Sequence, residues 1–254
     1  MSGLVVIASE SIGDWILKGE VVDRYFNPEK IFDQVHIVSF GDSLVDHVAL
    51  QRLVGEVPFT FRSFPLSRRQ KILSLGLRPR LLRGWLRQPV QYVLSLEPDL
   101  IRCHGPYQNG LVAQEVKRLA GVPYIVSVHI NPDEDVRGRA SPLLVRIFNR
   151  LTLKCERQAL RGADLCIAVY RSIVPYLERM GAKKIQVRYN VVNGSRIVPK
   201  SDYVLRSGFR IACVGRLIPL KNPESIIRAI SIVPNTTLSI AGDGPLMSDL
   251  RRIA

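Results

Sequence analysis

Residues 98–129 read PDLIRCHGPYQNGLVAQEVKRLAGVPYIVSVH. Residues 99–103 form a short, partly apolar run introduced by Pro98, which reads as a strand. Val112, Val116 and Leu119 then recur on one face of a helix over about 108–120, and Gly121 is its stop signal. Residues 123–128 are a second apolar run of strand length. Strand, helix and strand within some thirty residues make a βαβ unit, whose two strands lie parallel.

The same alternation continues outward. Upstream, residues 4–8 (LVVIA) and 34–40 (QVHIVSF, ended by Gly41-Asp42) read as strands. Downstream, Ser141-Pro142 offers an N-cap and a first-turn proline for a helix that stops at Gly162. A strand over 164–169, a helix near 172–180 and a short strand over 185–189 follow. Repeated βα units predict an α/β fold with an N-terminal, Rossmann-like, doubly wound parallel sheet. A polar stretch then interrupts the pattern, and a new unit begins: strand 210–214, helix 223–233, strand 237–241 and a helix from Pro245. The expected organisation is an N-terminal domain over 1–195, a linker over 196–208, and over 209–254 the beginning of a second Rossmann-like domain.

Composition narrows the class. The 254 residues are 46% hydrophobic and 23% charged, which permits a sizeable core and argues against disorder. No run approaches the 18 or so apolar residues of a membrane span, and the N-terminus lacks the basic n-region of a signal peptide. Cys103, Cys155, Cys166 and Cys213 have no CxxC spacing, so a zinc site or disulfide framework is not expected and a reducing compartment fits. The net charge of +14 points to a polyanionic partner. Residues 57–96 hold eight basic and no acidic side chains, and residues 136–194 sum to +9.

The loop after the strand 210–214 carries the clearest chemistry. Gly215-Arg216-Leu-Ile-Pro-Leu-Lys221-Asn-Pro joins a strand end to a helix start. Ligands of open α/β sheets bind at strand carboxyl ends, and a helix N-terminus offers free N–H groups and partial positive charge. Arg216 can fork onto phosphate oxygens and Lys221 adds a compact charge, a combination suited to a diphosphate. Two solvated loop cations are the alternative. Gly242-Asp-Gly244 is a second glycine-rich loop at a strand end, where tight turns use the same residues.

Taken together, CVGRLIPLKNPESIIRAI and LSIAGDGPL (residues 213–230 and 238–246) resemble the donor half of GT-B glycosyltransferases, especially retaining family 4. The resemblance extends upstream through residues 98–129, through CERQALRGADLCIAVY (155–170) and through VRYNVVNGS (187–195), in the family's order. It implies a transferase that moves a sugar from a nucleoside diphosphate donor to a saccharide, lipid-linked or other cell-envelope acceptor. Catalysis would rest on electrostatic stabilisation of the leaving diphosphate, with no cofactor and no required metal. By resemblance, Gly215, Arg216, Lys221, Gly242 and Gly244 bind the donor, together with Gly13, the one glycine in the loop Glu10-Ser-Ile-Gly-Asp14 that follows the first strand. His129 is the candidate for contacting the transferred sugar, with His104 and Asn190 on the acceptor or sugar side. Tyr170 stands where the family has Ser, Val191 where it has Gly and Asn193 where it has Asp. The family's E-x(7)-E segment falls beyond residue 254, so this chain is expected to be an incomplete fragment without transfer activity of its own.

His36 and His47 read as structural or surface residues. Cys103 beside His104 invites a nucleophile pairing, but strand neighbours point to opposite faces. The block over 57–96, with phenylalanine, leucine and tryptophan interleaved, suits an interfacial helix on anionic lipid, a nucleic-acid contact or a core helix with solvated arginines. Arg146, Arg150, Lys154, Arg157 and Arg161 line one face of a helix opposite Leu144, Phe148, Leu151, Cys155 and Ala159. The expected location is the cytoplasm, with peripheral contact at the inner face of the membrane. Two other readings remain: a sugar-nucleotide epimerase on the same scaffold, and a nucleic-acid-binding protein. The latter rests on charge alone, since no RNP-like aromatic motif, zinc site or helix-turn-helix accompanies it, and nucleic acid is not expected as a partner.

Overall fold

The structure, a computed structural model, describes residues 1–8, 12–17, 21–41, 45–65, 79–133, 143–191, 197–202, 204 and 208–253. The chain divides into two compact units, Met1–Asn193 and Gly194–Ala254.

The first unit is a parallel sheet with helices on both faces, as the alternation predicts. Its described elements are β1 (Gly3–Ala8), α1 (Ile12–Leu17), β2 (Gln34–Ser39), α2 (His47–Val54), β3 (Phe59–Ser63), α3 (Pro79–Ser95), β4 (Leu100–His104), α4 (Gln108–Ala120), β5 (Tyr124–Val128), α5 (Leu143–Gly162), β6 (Leu165–Ala168), α6 (Val174–Met180) and β7 (Ile185–Val187). The strand order is β3-β2-β1-β4-β5-β6-β7, all parallel. Alternate residues of each strand serve opposite faces. Leu4, Val6, Val35 and Ile37 pack with Ile12 of α1 and with Leu50, Leu53 and Val54 of α2. Val5, Ile7, Ile101, Cys103 and Val126 face the other way, onto Val90 and Val93 of α3, Val112 and Val116 of α4, and Leu160 of α5. Burial on both faces explains why β1 reads as an unbroken apolar run.

Close helix packing depends on small residues. A Cβ on Gly110 would come within 2.6 Å of the Ala159 Cβ, so this glycine sets how near α4 and α5 approach. Gly121 ends α4 in the left-handed region at φ 74, its N–H donating to the Lys117 carbonyl, which only glycine does without strain. In the described half of α5, Ala159 and Leu160 are buried while Lys154, Arg157 and Arg161 are exposed, matching the expected stripe. Glu156 on the same helix is buried and accepts a 2.5 Å hydrogen bond from the Tyr176 hydroxyl. The cap at Ser141-Pro142 and the side chains of Arg146 and Arg150 lie outside the described residues.

The basic block differs from its expectation as one helix. Among the described residues of the block, 59–63 form β3 and 79–95 are helical. The Phe-Thr-Phe-Arg alternation has the period of a strand and wins over charge composition. Arg62 extends over the rings of Phe64 (5.3 Å) and Tyr92 (4.6 Å), where its stem is covered and its charge stays at the surface. Arg68, Arg69, Lys71, Arg78 and the side chains of Arg80 and Arg83 lie outside the described residues.

The second unit holds β8 (Phe209–Val214), α7 (Pro223–Ile230), β9 (Thr236–Ala241) and α8 (Met247–Ile253). β8 and β9 pair in parallel, with Ile211 beside Leu238 and Cys213 beside Ile240. Leu217, Ile227 and Leu250 are its buried core, with Leu238, Ile240, Leu246 and Met247 packed around them.

Candidate functional site

In the first unit the direction of winding reverses between β1 and β4. Such a switch point is where open α/β sheets leave a crevice beyond their carboxyl ends. β4 ends there in His104, which the register sets beside Ala8 of β1 and Ser127 of β5. His104 is only 3% exposed. Its ring meets Trp15 of α1 edge-on at 5.6 Å, Tyr25 at 5.7 Å and Phe26 at 5.7 Å, and stacks on His129 at 5.4 Å and 16°. Burial, and then the charges of Arg102 and His129, hold the His104 imidazole well below its ordinary pKa, so it is neutral.

Asn109, fully buried at the start of α4, fixes this edge. Its Nδ2 donates to the carbonyls of His104 (2.5 Å) and Ile7 (3.5 Å), and its Oδ1 accepts from the Gly110 N–H (3.0 Å). The ends of β4 and β1 are thereby tied across the switch point. The segment after β5 is held from α6 and its approach. The Asn131 N–H donates to the Tyr170 hydroxyl at 3.1 Å, and Asp133 pairs with Arg179. The departure from serine at position 170 thus supplies an anchor for the segment that follows His129. Cys103 lies on the opposite face from His104, donates to the Asn109 carbonyl at 3.4 Å, and has its thiol pKa pushed up by burial. It is an inert core thiol rather than half of a Cys–His pair.

The second unit presents a separate carboxyl edge. The loop after β8 and the loop after β9 interlock through backbone bonds: the Gly215 N–H to the Ala241 carbonyl (3.0 Å), the Leu217 N–H to the Asp243 carbonyl (2.9 Å) and the Leu246 N–H to the Leu217 carbonyl (3.1 Å). A Cβ on Gly242 would collide with the Gly215 carbonyl, and one on Gly244 with Leu217 backbone. These two glycines therefore serve loop-to-loop contact. Gly215 differs: a Cβ there would meet nothing within 4 Å, leaving open space beside its backbone. Arg216 and Lys221 are exposed, and neither forms an ion pair among the described residues. Lys221 closes a 3₁₀ turn (Pro219–Lys221), Asn222 takes a left-handed conformation at φ 46, and Pro223 begins α7.

One other expected residue sits differently from the loop position it was given. Gly13 is the second residue of the six-residue helix α1, not part of a loop, because helix propagation from Ile12 absorbs it. Asn190 is exposed after β7, and Asn193 lies outside the described residues. Among the described residues no group of three His, Cys, Asp or Glu is placed to hold a metal ion.

The sequence signature of the Glycosyl transferase 4-like domain matches residues 32–191. The chain belongs to the glycosyl transferase 4-like family. A curated relative from Escherichia coli, UDP-Gal:alpha-D-GlcNAc-diphosphoundecaprenol alpha-1,3-galactosyltransferase, is 28% identical over 173 residues, covering 60% of this chain and 42% of its own length. The chain thus spans less than half the length of that relative. Among solved structures, sucrose-phosphate synthase from Thermosynechococcus elongatus aligns over 100% of this chain and 66% of its own, with TM-score 0.60 and 15% identity. The catalytic domain of starch synthase IV from Arabidopsis thaliana covers 99% of this chain and 70% of its own, with TM-score 0.56 and 14% identity. At such identities the two structures establish the GT-B-like fold.

The match to the glycosyl transferase 4-like family takes in His104, His129 and Asn190 and ends before the Arg216 loop. Reading the sequence missed Arg102, Asn109 and Ser127 within that span, and Tyr25 before it. Arg102 carried a usable signal, a charged side chain inside a strand otherwise apolar enough to be buried. Trp15 and Tyr25 carried none, because segments distant in sequence bring them to His104.

Proposed function

We propose that this member of the glycosyl transferase 4-like family serves a nucleotide-sugar-dependent glycosyl transfer to a lipid-linked, diphosphate-bearing saccharide. The observation that carries the reading is the family match over the unit that holds the switch-point crevice, together with the relative named for such an acceptor. Arg216 and Lys221 hold the donor diphosphate and neutralise it as it leaves, so side-chain cations supply the charge that a metal would otherwise bring. Gly215 lets the donor approach the backbone. His129 and His104 face the sugar side of the first unit, and Asn190 is assigned to that side with them. The family match favours transfer over the epimerase and nucleic-acid readings.

Each charge-assisted contact to a phosphate is worth about 1.5–3 kcal/mol. Arg216→Ala should therefore weaken UDP binding by about tenfold or more in calorimetry, with the circular dichroism spectrum unchanged. Unaltered affinity would remove the loop from the donor site.

We further propose peripheral contact with anionic membrane at its cytoplasmic face. No helix among the described residues is long and apolar enough to cross a membrane, and a lipid-linked acceptor requires access to its surface. The exposed cations Lys154, Arg157 and Arg161 on α5 suit that contact. Sedimentation with vesicles should show binding that rises with anionic lipid and falls with salt. Equal recovery with neutral and anionic vesicles would end this reading.

A further inference from the structure

One face of β4 and β5 collects buried polar atoms that have no hydrogen-bond partner among the described residues. Residues two apart on a strand share a face, so Arg102 and His104 lie on the same side of β4. Ser127 of β5 is the register partner of His104 and shares that side. Adjacent strands lie about 4.8 Å apart. Arg102 Nε, both ring nitrogens of His104 and the Ser127 hydroxyl are all buried without a hydrogen-bond partner. Ser127 is 1% exposed.

An unsatisfied buried polar atom costs about 1–3 kcal/mol, and native proteins leave very few. Four on one patch of one sheet face indicate that something else meets them. Charge indicates what. The guanidinium of Arg102 is always protonated. It lies over the Tyr25 ring at 5.3 Å and donates from Nη1 to the Tyr25 carbonyl at 3.4 Å. It forms no ion pair with a carboxylate among the described residues. The ionisable neighbours acting on His104 are Arg102 and His129, both basic. A partly buried cation with no counter-charge among the described residues, beside an imidazole and a hydroxyl, calls for an oxyanion. Arg102 is the least enclosed of the three residues, of intermediate exposure where His104 and Ser127 are buried.

We propose that Arg102, His104 and Ser127 form a second oxyanion site, at the carboxyl edge of β4 and β5, that binds a phosphate of the acceptor. The site is distinct from the Arg216 loop and belongs to the other unit of the chain. Its assignment to the acceptor rests on the transferase reading above; its existence as an anion site does not. The same phosphate chemistry could come from the donor nucleotide, and the test separates the two sources.

The test uses the full chain carrying Arg216→Ala and Lys221→Ala, which removes the proposed donor loop. Inorganic pyrophosphate is titrated by calorimetry. Binding should persist in this background and fall at least tenfold when Arg102→Met is added, with partial recovery in Arg102→Lys. Absence of pyrophosphate binding in the double variant, or binding indifferent to Arg102→Met, overturns the site. Should Arg102→Met fail to fold, the Arg102 Nε–H resonance is followed in the double variant instead, assigned by its loss in Arg102→Lys. A shift on adding pyrophosphate supports the site; an unmoved signal means that water fills it and overturns the proposal. A short-chain GlcNAc-diphosphoprenol should compete with pyrophosphate there, whereas UDP should compete at least tenfold less well. Stronger competition by UDP overturns the acceptor assignment. Failure of the transferase reading would show separately, as UDP affinity in the otherwise wild-type chain that ignores Arg216→Ala.

Discussion

β1 and β8 are six-residue parallel strands of similar composition, yet every residue of β1 is buried and nearly every residue of β8 is exposed. β1 sits in the middle of a seven-stranded sheet with helices against both faces. β8 has one partner strand, and the buried core of its unit is Leu217, Ile227 and Leu250. Parallel pairing gains its stability from covered faces rather than from the ladder itself. The two units should therefore respond very differently to equivalent lesions.

The largest effect is expected from Tyr124→Ala. This ring is fully buried at the start of β5, its hydroxyl donates to the Ala159 carbonyl at 2.6 Å, and the Lys117 ammonium lies 5.6 Å from its centroid. Removing it opens a cavity and should cost about 3–5 kcal/mol. Hydrogen exchange should show protection falling throughout β4, β5 and β6. A loss below about 1 kcal/mol would mean that the first unit is packed more loosely than its burial indicates.

A matched pair of glycine substitutions comes next. Gly110→Ala presses a methyl onto the Ala159 Cβ, and Gly242→Ala presses one into the Gly215 carbonyl. Overpacking of this kind costs about 1–3 kcal/mol. The first unit, with its large core, should absorb that loss and stay folded. The second should lose protection of the β8 and β9 amides. Survival of both, by exchange and circular dichroism, would break the contrast.

The smallest effect is a pH dependence confined to the first unit. All four histidines, at 36, 47, 104 and 129, lie there. The folded His104 imidazole has its pKa well below the ordinary value through burial, with Arg102 and His129 adding to it, and burial also lowers that of His36. The unfolded chain then binds protons below about pH 6.5 that the folded unit refuses, so stability is lost as pH falls from 7 toward 5.5. One such histidine contributes a slope of at most about 1.4 kcal/mol per pH unit. Exchange-derived stability of β4 should show this slope, His104→Gln should flatten it, and β8 and β9 should lack it. An equal slope in β8 would assign the effect to something other than these histidines.

A strand whose residues are apolar on both faces, such as residues 4–8, was legible because a parallel sheet covered on both sides favours unbroken runs. Helix limits at Gly121, Gly162 and Gly181 were legible because glycine ends a helix wherever it stands late in an apolar repeat. The Arg216 and Lys221 loop was legible for a related reason: loop, cations and helix start are contiguous in the chain. β3 was obscured by its arginine and by the basic block around it, since charge composition has no period and strand alternation does.

The sequence by itself determined the βα rhythm, the parallel sheet and the family motifs, all of which are local patterns or ordered strings of them. Only the tertiary structure decided that β1 and β4 are neighbours, and with that where the crevice opens. It alone brought Trp15, Tyr25 and Phe26 around His104, tied β1 to β4 through Asn109, and left Arg102 without a carboxylate among the described residues. Strand order and the surroundings of a buried charge are set by which distant segments exclude water together, and no local spacing encodes that.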